Sequence, residues 1–237
     1  MDHKARDVEF NTFTAVARCT RTGALGIATA TGEMAVGSRV PFAKAHVGAV
    51  ATQAMTDPRL GPLALRLLEL GFSAPKVLAE LESSDPGIEG RQIAMVDADG
   101  RAVARTGANN RDWKGHRIGD GYVAMGNRIL GADVVGAMAE AIEGSDTDAL
   151  EERLMLAIEA GRDAGGQEGG QRSAGLLVVE DKPFPITNLR ADEHIEPVAE
   201  LRRILELYKP LIPYYRERAA NPNLGTYDEW LKERGLA

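Results

Sequence analysis

The sequence predicts an α+β fold in four layers, an αββα sandwich of two mostly antiparallel sheets between helix pairs. Three observations lead there. Segments with the two-residue period of strands and segments with the helical period come in blocks, in the order strands, helix pair, strands, helix pair, strands, helix. Each helix pair has an apolar stripe that needs a sheet to cover, and a sheet covered on one face buries its other face on a second sheet. Only 5% of the residues are aromatic, which suits close layers built from Ala, Val and Gly.

Within residues 8–18, Phe10, Thr12, Thr14 and Val16 alternate with Phe13, Ala15 and Ala17, the pattern of a strand covered on both faces. Thr22-Gly23 turns the chain into a second arm over 25–30, closed by Thr31-Gly32. Two further short strands are expected at 34–36 and 47–52, with Gly37, Pro41 and Gly48 as interruptions. Leu60, Leu63, Ala64, Leu67 and Leu68 then fall at helical spacing up to Gly71, a C-cap. Ser73 caps the next helix, Pro75 is tolerated in its first turn, and Val77, Leu78 and Leu81 form its stripe.

Residues 91–96 and 101–106 make a hairpin around Asp97-Ala98-Asp99-Gly100, and 122–126 add a strand. Helices over 133–143 and 147–162 form the second pair, with Ser145 or Asp146 placed to cap the latter. Residues 173–179 read as a continuous apolar strand and 186–189 as a weaker one. Pro197 opens an amphipathic helix with Val198, Leu201, Leu205 and Tyr208 on one face, and Pro210 and Pro213 end it. The tail holds Tyr214, Tyr215, Tyr227 and Trp230 in a polar setting, which points to docking on the domain or on a partner subunit. The expected organisation is a domain over 1–209 and a C-terminal extension over 210–237.

At 237 residues, with 44% apolar and 27% charged, the chain suits one large globular domain. A net charge of −7 with scattered Lys and Arg leaves no footprint for nucleic acid or an anionic membrane surface, so a small-molecule or peptide-like substrate fits better. The single Cys19 excludes an intramolecular disulfide, and, standing in a charged turn region, it is not taken as the nucleophile. Neither a signal peptide nor a run of about 20 apolar residues is present, so a cytoplasmic location is expected.

Several segments carry a resemblance. Thr12 to Ala17, Ala35 to Pro41, Gly48 to Ala54, Arg91-Gln92, Gly115-His116-Arg117, Gly119-Asp120-Gly121 and Gly126-Asn127 belong to it. So do Gly165-Gly166, Gln171-Arg172-Ser173-Ala174 and Asp192-Glu193-His194 leading into Pro197. Together they resemble the bacterial domain of unknown function 1028 family, grouped with the N-terminal-nucleophile hydrolases. The resemblance covers about residues 10–208 and implies the four-layer fold and, by analogy, amide hydrolysis.

In that class of hydrolase the first residue of the mature chain attacks an amide carbonyl while its own α-amine, with a pKa near about 7.7–8, takes the proton. Thr12 occupies the corresponding place, yet eleven residues precede it and its nitrogen is an amide. Self-cleavage between Asn11 and Thr12, activation of Thr12 by another side chain, and a plain strand residue all remain open. Ser38, Thr52 and Gln53 at strand ends would orient the nucleophile, or else are packing positions. Asn127 or glycine amides near Gly37 and Gly48 would stabilise an oxyanion, with turn chemistry the alternative for Asn127.

Arg91, His116, Asp120, Gln171, Arg172, Ser173, Asp192 and His194 are candidate substrate contacts, Arg172 through its bidentate fork; a surface salt bridge is its other reading. Gly165-Gly166 and Gly169-Gly170 are not a phosphate loop, since no lysine and helix follow. Asp192, Glu193 and His194 form the densest polar cluster and suit either acid–base chemistry or the start of the following helix. No second histidine lies at ligand spacing, so neither a metal nor a cofactor is expected. The expected function is hydrolysis of an amide bond in a small polar amide or peptide-like metabolite; the alternative is a non-catalytic binding or assembly protein using the same cleft. The expected partners are that small molecule and further copies of the chain, a dimer first.

Overall fold

The computed structural model describes residues 11–145 and 147–236; residues 8–10 of the first expected strand and the possible Asp146 cap lie outside them. The chain divides into two compact units between Leu201 and Arg202.

The first unit begins with β1 (Thr12–Arg18), β2 (Leu25–Thr31), β3 (Pro41–Lys44) and β4 (Gly48–Ala54), followed by α1 (Leu60–Glu69) and α2 (Ala74–Ser84). Next come β5 (Arg91–Asp97), β6 (Ala102–Thr106), β7 (Lys114–Gly119) and β8 (Tyr122–Asn127), then α3 (Ala132–Gly144) and α4 (Leu150–Asp163). Strands β9 (Ser173–Val179) and β10 (Thr187–Ala191) lead into α5 (Pro197–Tyr208). One sheet has the order β10-β9-β2-β1-β8-β7 and the other β3-β4-β5-β6, all neighbours antiparallel. Helices α3 and α4 cover the six-stranded sheet, α1 and α2 cover the four-stranded one, and the sheets pack on each other. The expected αββα sandwich is what the chain forms.

Strand alternation sorts the residues between layers. Val16, Leu25, Ile27, Ala49, Ala51, Ala94, Val96, Val123 and Met125 pack between the sheets, whereas Val50, Ile93 and Met95 pack against α1 and α2. Continuing the same parity along each strand puts Thr12, Thr14, Thr29, Thr31, Gln53, Gln92 and Asn127 between the sheets as well. The inter-sheet layer is therefore apolar over most of its length and polar at one end. Small residues let the outer layer approach closely: a Cβ on Gly26 would lie 2.7 Å from Leu154 Cδ1 and 2.8 Å from the Leu177 carbonyl oxygen.

Several local expectations are corrected. Residues 34–36 are not a strand; Val36–Ser38 is a 3-10 turn entered through Ala35 at φ 56°, and β3 lies further on, at Pro41–Lys44. The segment around His116 is an edge strand, β7, unrecognised because its largely exposed polar residues lack an apolar period. Ser73 stands at the start of α2 without a side-chain cap; Asp97 supplies it from β5, its Oδ2 accepting from the Ala74 amide at 3.0 Å. Ser145 is not the cap of α4, whose N-cap position is Ala149; its hydroxyl donates backward to the Ala141 carbonyl at 2.6 Å.

Helix α5 ends at Tyr208, just before Pro210, as expected, and in the second unit a new helix then starts across Pro213. Pro210 sits in a 3-10 turn, Lys209–Leu211, and Pro213 lies in the first turn of α6 (Ile212–Ala220), where its missing N–H costs nothing. Helix α7 (Tyr227–Glu233) starts with a capping box, Thr226 and Glu229. Tyr214 meets Tyr227 at 5.4 Å and Trp230 at 5.9 Å edge-on, and Trp230 Nε1 donates to Glu217 at 2.8 Å. The aromatic residues thus make a core of their own. No helix among the described residues is long and apolar enough to cross a membrane.

Candidate functional site

The polar end of the inter-sheet layer is a single hydrogen-bonded network. Register places Thr12 of β1 between Asn127 of β8 and Thr31 of β2, while Gln53 of β4, Gln92 of β5 and Thr106 of β6 form the facing row. Thr14 Oγ1 donates to Gln53 Oε1 at 2.5 Å and lies 2.7 Å from Thr29 Oγ1. Gln53 Nε2 donates to Gln92 Oε1 at 2.7 Å and, more weakly, to the Thr12 carbonyl at 3.3 Å. Asn127 Nδ2 donates to Gln92 Oε1 at 3.0 Å. Gln92 Nε2 shares its two hydrogens among the Gly126 carbonyl at 2.8 Å, Thr106 Oγ1 at 3.0 Å and the Gly115 carbonyl at 3.1 Å. Gln53 and Gln92 are fully buried, so nothing in the bridge between the sheets depends on water.

Thr12 itself is buried and internal. Thr31 gives its one hydroxyl hydrogen to the Asn11 carbonyl at 2.5 Å, so across the 3.1 Å contact between the two threonines it is Thr12 that donates. The Asn11 side chain accepts from the Gly32 amide at 2.9 Å and donates to the Glu168 carbonyl at 3.2 Å, which fixes the peptide on the other side of Thr12.

A pocket of about 310 Å³ opens beside this network. It is lined by Ala54 at the end of β4, Met55 after it, Gly90 before β5, the 109–111 loop and Asn127. Two non-glycine residues hold left-handed backbone there, Ala54 at φ 68° and Arg128, next to Asn127, at φ 50°. Such conformations cost energy and collect at functional sites.

The structure brings Thr12, Gln53 and Asn127 together and separates the other candidates. Thr52 is buried on the opposite face of β4, toward the helix layer, and its Oγ1 has no hydrogen-bond partner among the described residues. Ser38 is exposed and donates to the Ala35 carbonyl at 2.7 Å. Arg91 points to the helix face of β5, its Nε on Asp85 at 3.0 Å. His116 touches the rim of the network, Nδ1 at 2.9 Å from Thr106 Oγ1; partial desolvation lowers its pKa, and the exposure it retains limits that effect. Asp120 lies in the β7–β8 turn, at the far end of the strand from Asn127, about 20 Å away at strand rise.

Ser173 stands in the same row as Thr12, opposite Thr31, but serves as a tie: it donates to the Glu33 carbonyl at 2.6 Å and accepts from the Val36 amide at 3.0 Å. Gln171 packs near Gly166 in the preceding loop. Arg172 pairs with Glu193 at 2.6 Å, Arg190 pairs with Asp192 at 2.7 Å, and His194 Nδ1 accepts from the Glu196 amide at 3.0 Å. The acidic cluster is therefore neutralised by arginines, and among the described residues no group of three or more His, Cys, Asp and Glu could hold a metal ion.

Gln92, Thr14 and Asn110 are the residues that sequence reasoning missed. Alternation could have found the first: in β5, Ile93 and Met95 belong to one face and Ala94 and Val96 to the other, which aligns Gln92 with the inter-sheet residues and Arg91 with the helix face.

Fold and site define a four-layer αββα protein whose candidate site is built from uncharged amides and hydroxyls. The chain belongs to the DUF1028 family, a family of unknown function, whose sequence model matches residues 12–201. It is similar to the crystal structure of protein SPO2555 from Silicibacter pomeroyi, of the same family, with 32% identity, 93% of each chain covered and a TM-score of 0.79. It also aligns with Anbu (ancestral beta-subunit) from Yersinia bercovieri at 11% identity and a TM-score of 0.41, over 90% of this chain and 100% of that one. No curated protein matches.

Proposed function

We propose that the intact chain binds a small polar ligand in the pocket beside Asn127 and does not turn it over. The observation that carries this is the composition of the network joining the pocket to Thr12: Thr14, Thr29, Thr31, Gln53, Gln92 and Asn127. None of these six groups takes up a proton near neutral pH, and the one imidazole at the rim, His116, reaches them only through Thr106 and then Gln92, so Thr12 has no general base beside it. Thr12's own nitrogen is a peptide amide. A thermal-shift screen of small polar amides and peptide-like compounds against protein of verified intact mass tests the reading. A ligand at a hundred times its Kd adds about 2.7 kcal/mol, a rise of about 5–10 °C for a domain of this size. Turnover of any stabilising ligand by the uncut chain would overturn it.

A second reading, amide hydrolysis by Thr12 after cleavage of the Asn11–Thr12 bond, has its own support. The Asn11 carbonyl oxygen accepts from Thr31 Oγ1 at 2.5 Å and from the Gly32 amide at 3.4 Å, an arrangement suited to developing negative charge. In this reading Thr12 Oγ1 attacks the Asn11 carbonyl carbon and the C–N bond breaks. The hydroxyl proton is transferred to the departing nitrogen, and water then hydrolyses the ester. The freed α-amine becomes the missing base. Mass spectrometry over days of incubation decides: loss of residues 1–11, abolished by Thr12→Ala, supports it, and a mass that stays that of the uncut chain removes it.

A further inference from the structure

The loop between α4 and β9 crosses the ends of three neighbouring strands. At its start Gly166 donates to the Gly161 carbonyl at 2.9 Å and accepts from the Leu130 amide at 3.1 Å. Gln167 then forms an isolated bridge with Ile129, two residues past the end of β8. At its finish the Arg172 amide donates to the Thr31 carbonyl at 2.7 Å, at the end of β2. Between those feet the side-chain tie to the sheet is, among the described residues, one bond from Asn11 Nδ2 to the Glu168 carbonyl at 3.2 Å, just before β1. Since the sheet runs β2-β1-β8 here, residues 166–172 span the end of the row that holds Thr31, Thr12 and Asn127.

The crest of the loop is a body of its own. The Gly170 amide donates to the Gln167 carbonyl at 3.1 Å, and Gln167 Nε2 donates back to the Gly170 carbonyl at 2.9 Å. Gly169 and Gly170 hold φ of 81° and 78°, which other residues rarely adopt, and nothing lies within 4 Å of the place a Cβ would take at either. The Gly170 carbonyl can only accept, so Gln167 turns its NH2 to it. That leaves Gln167 Oε1 buried with no hydrogen-bond partner among the described residues, in a residue 3% exposed. An unpaired buried acceptor costs more than one neutral hydrogen bond returns, so the loop is closed by a narrow margin in which the Asn11 bond counts.

We infer that residues 168–171 are a strap over the Thr12 end of the polar layer, latched by the Asn11 side chain, and that opening the strap uncovers Thr12 and Thr31 at the strand ends. With the strap down these two residues are 4% and 2% exposed. The latch belongs to the residue that precedes Thr12. A cut between Asn11 and Thr12 would therefore release the strap in the same event that frees the α-amine, whereas in the intact chain the strap opens only by breaking the Asn11 bond. The inference rests on neither reading of the site, because strap and latch are features of the uncut chain.

The test uses the full chain. Asn11→Asp keeps the oxygen that accepts from the Gly32 amide and, ionised at about pH 8, turns a second acceptor on the Glu168 carbonyl, so the latch is lost at constant volume. The Gly170 and Arg172 amides should then exchange with solvent at least about tenfold faster by NMR, the factor for one hydrogen bond replaced by a repulsion. The Thr14 and Val16 amides of β1 should keep their rates. Unchanged exchange at Gly170 and Arg172 overturns the latch; equal acceleration in β1 means that the whole sheet has loosened and overturns the strap as a separate body. Glu168→Ala leaves the carbonyl in place and should exchange as wild type, and acceleration matching that of Asn11→Asp overturns the assignment to the carbonyl. Thr12→Cys places a thiol beneath the strap, with Cys19, 1% exposed just after β1, as the measure of background labelling. Alkylation of that thiol by iodoacetamide should be at least about tenfold faster with Asn11→Asp than without, and equal rates overturn the uncovering of Thr12.

Discussion

Replacing Gln92 with leucine keeps the volume of the side chain and removes the hydrogen bonds that Gln92 makes across the sheets, leaving Thr14–Gln53 and the weaker Gln53–Thr12 carbonyl bond as the polar ties between them. The Gln92 oxygen accepts from Gln53 Nε2 at 2.7 Å and Asn127 Nδ2 at 3.0 Å. In Gln92→Leu, Asn127 loses that acceptor outright, while Gln53 retains the Thr12 carbonyl at 3.3 Å. A buried donor left unsatisfied costs about 1–3 kcal/mol, so one full loss and one partial loss amount to about 2–4 kcal/mol. For a unit of this size that is a fall in Tm of about 4–16 °C, read by differential scanning calorimetry. Gln92→Glu separates shape from polarity. Its carboxylate would face the carbonyls of Gly115 and Gly126, and those oxygens together with burial raise its folded-state pKa. The unfolded chain then ionises first as the pH rises past about 4.3, so the penalty of Gln92→Glu should be smallest below that pH and grow toward neutrality. A Gln92→Leu protein melting within 2 °C of wild type, or a Gln92→Glu penalty that does not change with pH, would refute the claim that this amide bridges the sheets.

Asp97 gives a prediction of the opposite sign. Burial by itself would raise its pKa, but hydrogen bonds from the Arg101 side chain at 2.7 Å and from the Ala74 and Arg101 amides outweigh that and lower it. Its folded-state pKa being depressed, its contribution is complete above the ordinary value of 3.8 and fades as pH falls through the folded value. Asp97→Ala should therefore cost about 2–4 kcal/mol at neutral pH, a gap from wild type that narrows below about pH 4; a gap independent of pH would count against the α2 cap. In the second unit, Trp230→Ala removes the bond to Glu217 and the ring beneath Arg234, 4.5 Å from its centroid. The loss of a buried aromatic, about 3–5 kcal/mol, should expose residues 212–233 to protease at a clearly faster rate, and an unchanged rate would argue that Tyr214 and Tyr227 hold that unit alone.

What the sequence by itself determined was the layered order. Periodicity marks a strand or helix without knowledge of its neighbours, so helices α1 to α4 and the central strands were legible, and with them the αββα sandwich. Edge strand β7 was not, because a strand exposed along its length has no apolar period to read. Thr12, Gln53 and Asn127 were legible as polar residues near strand ends. Only the tertiary structure decided that they share a layer with Gln92, since that depends on the register of two separate sheets and on which face each turns inward. The same alternation sent Thr52 and Arg91 to the opposite face from their neighbours Gln53 and Gln92. Arginine partners absorbed Asp192 and Glu193, and strand length carried Asp120 to the far end of the sandwich. Local pattern fixes an element, whereas a site assembles across elements through pairings that no segment encodes alone.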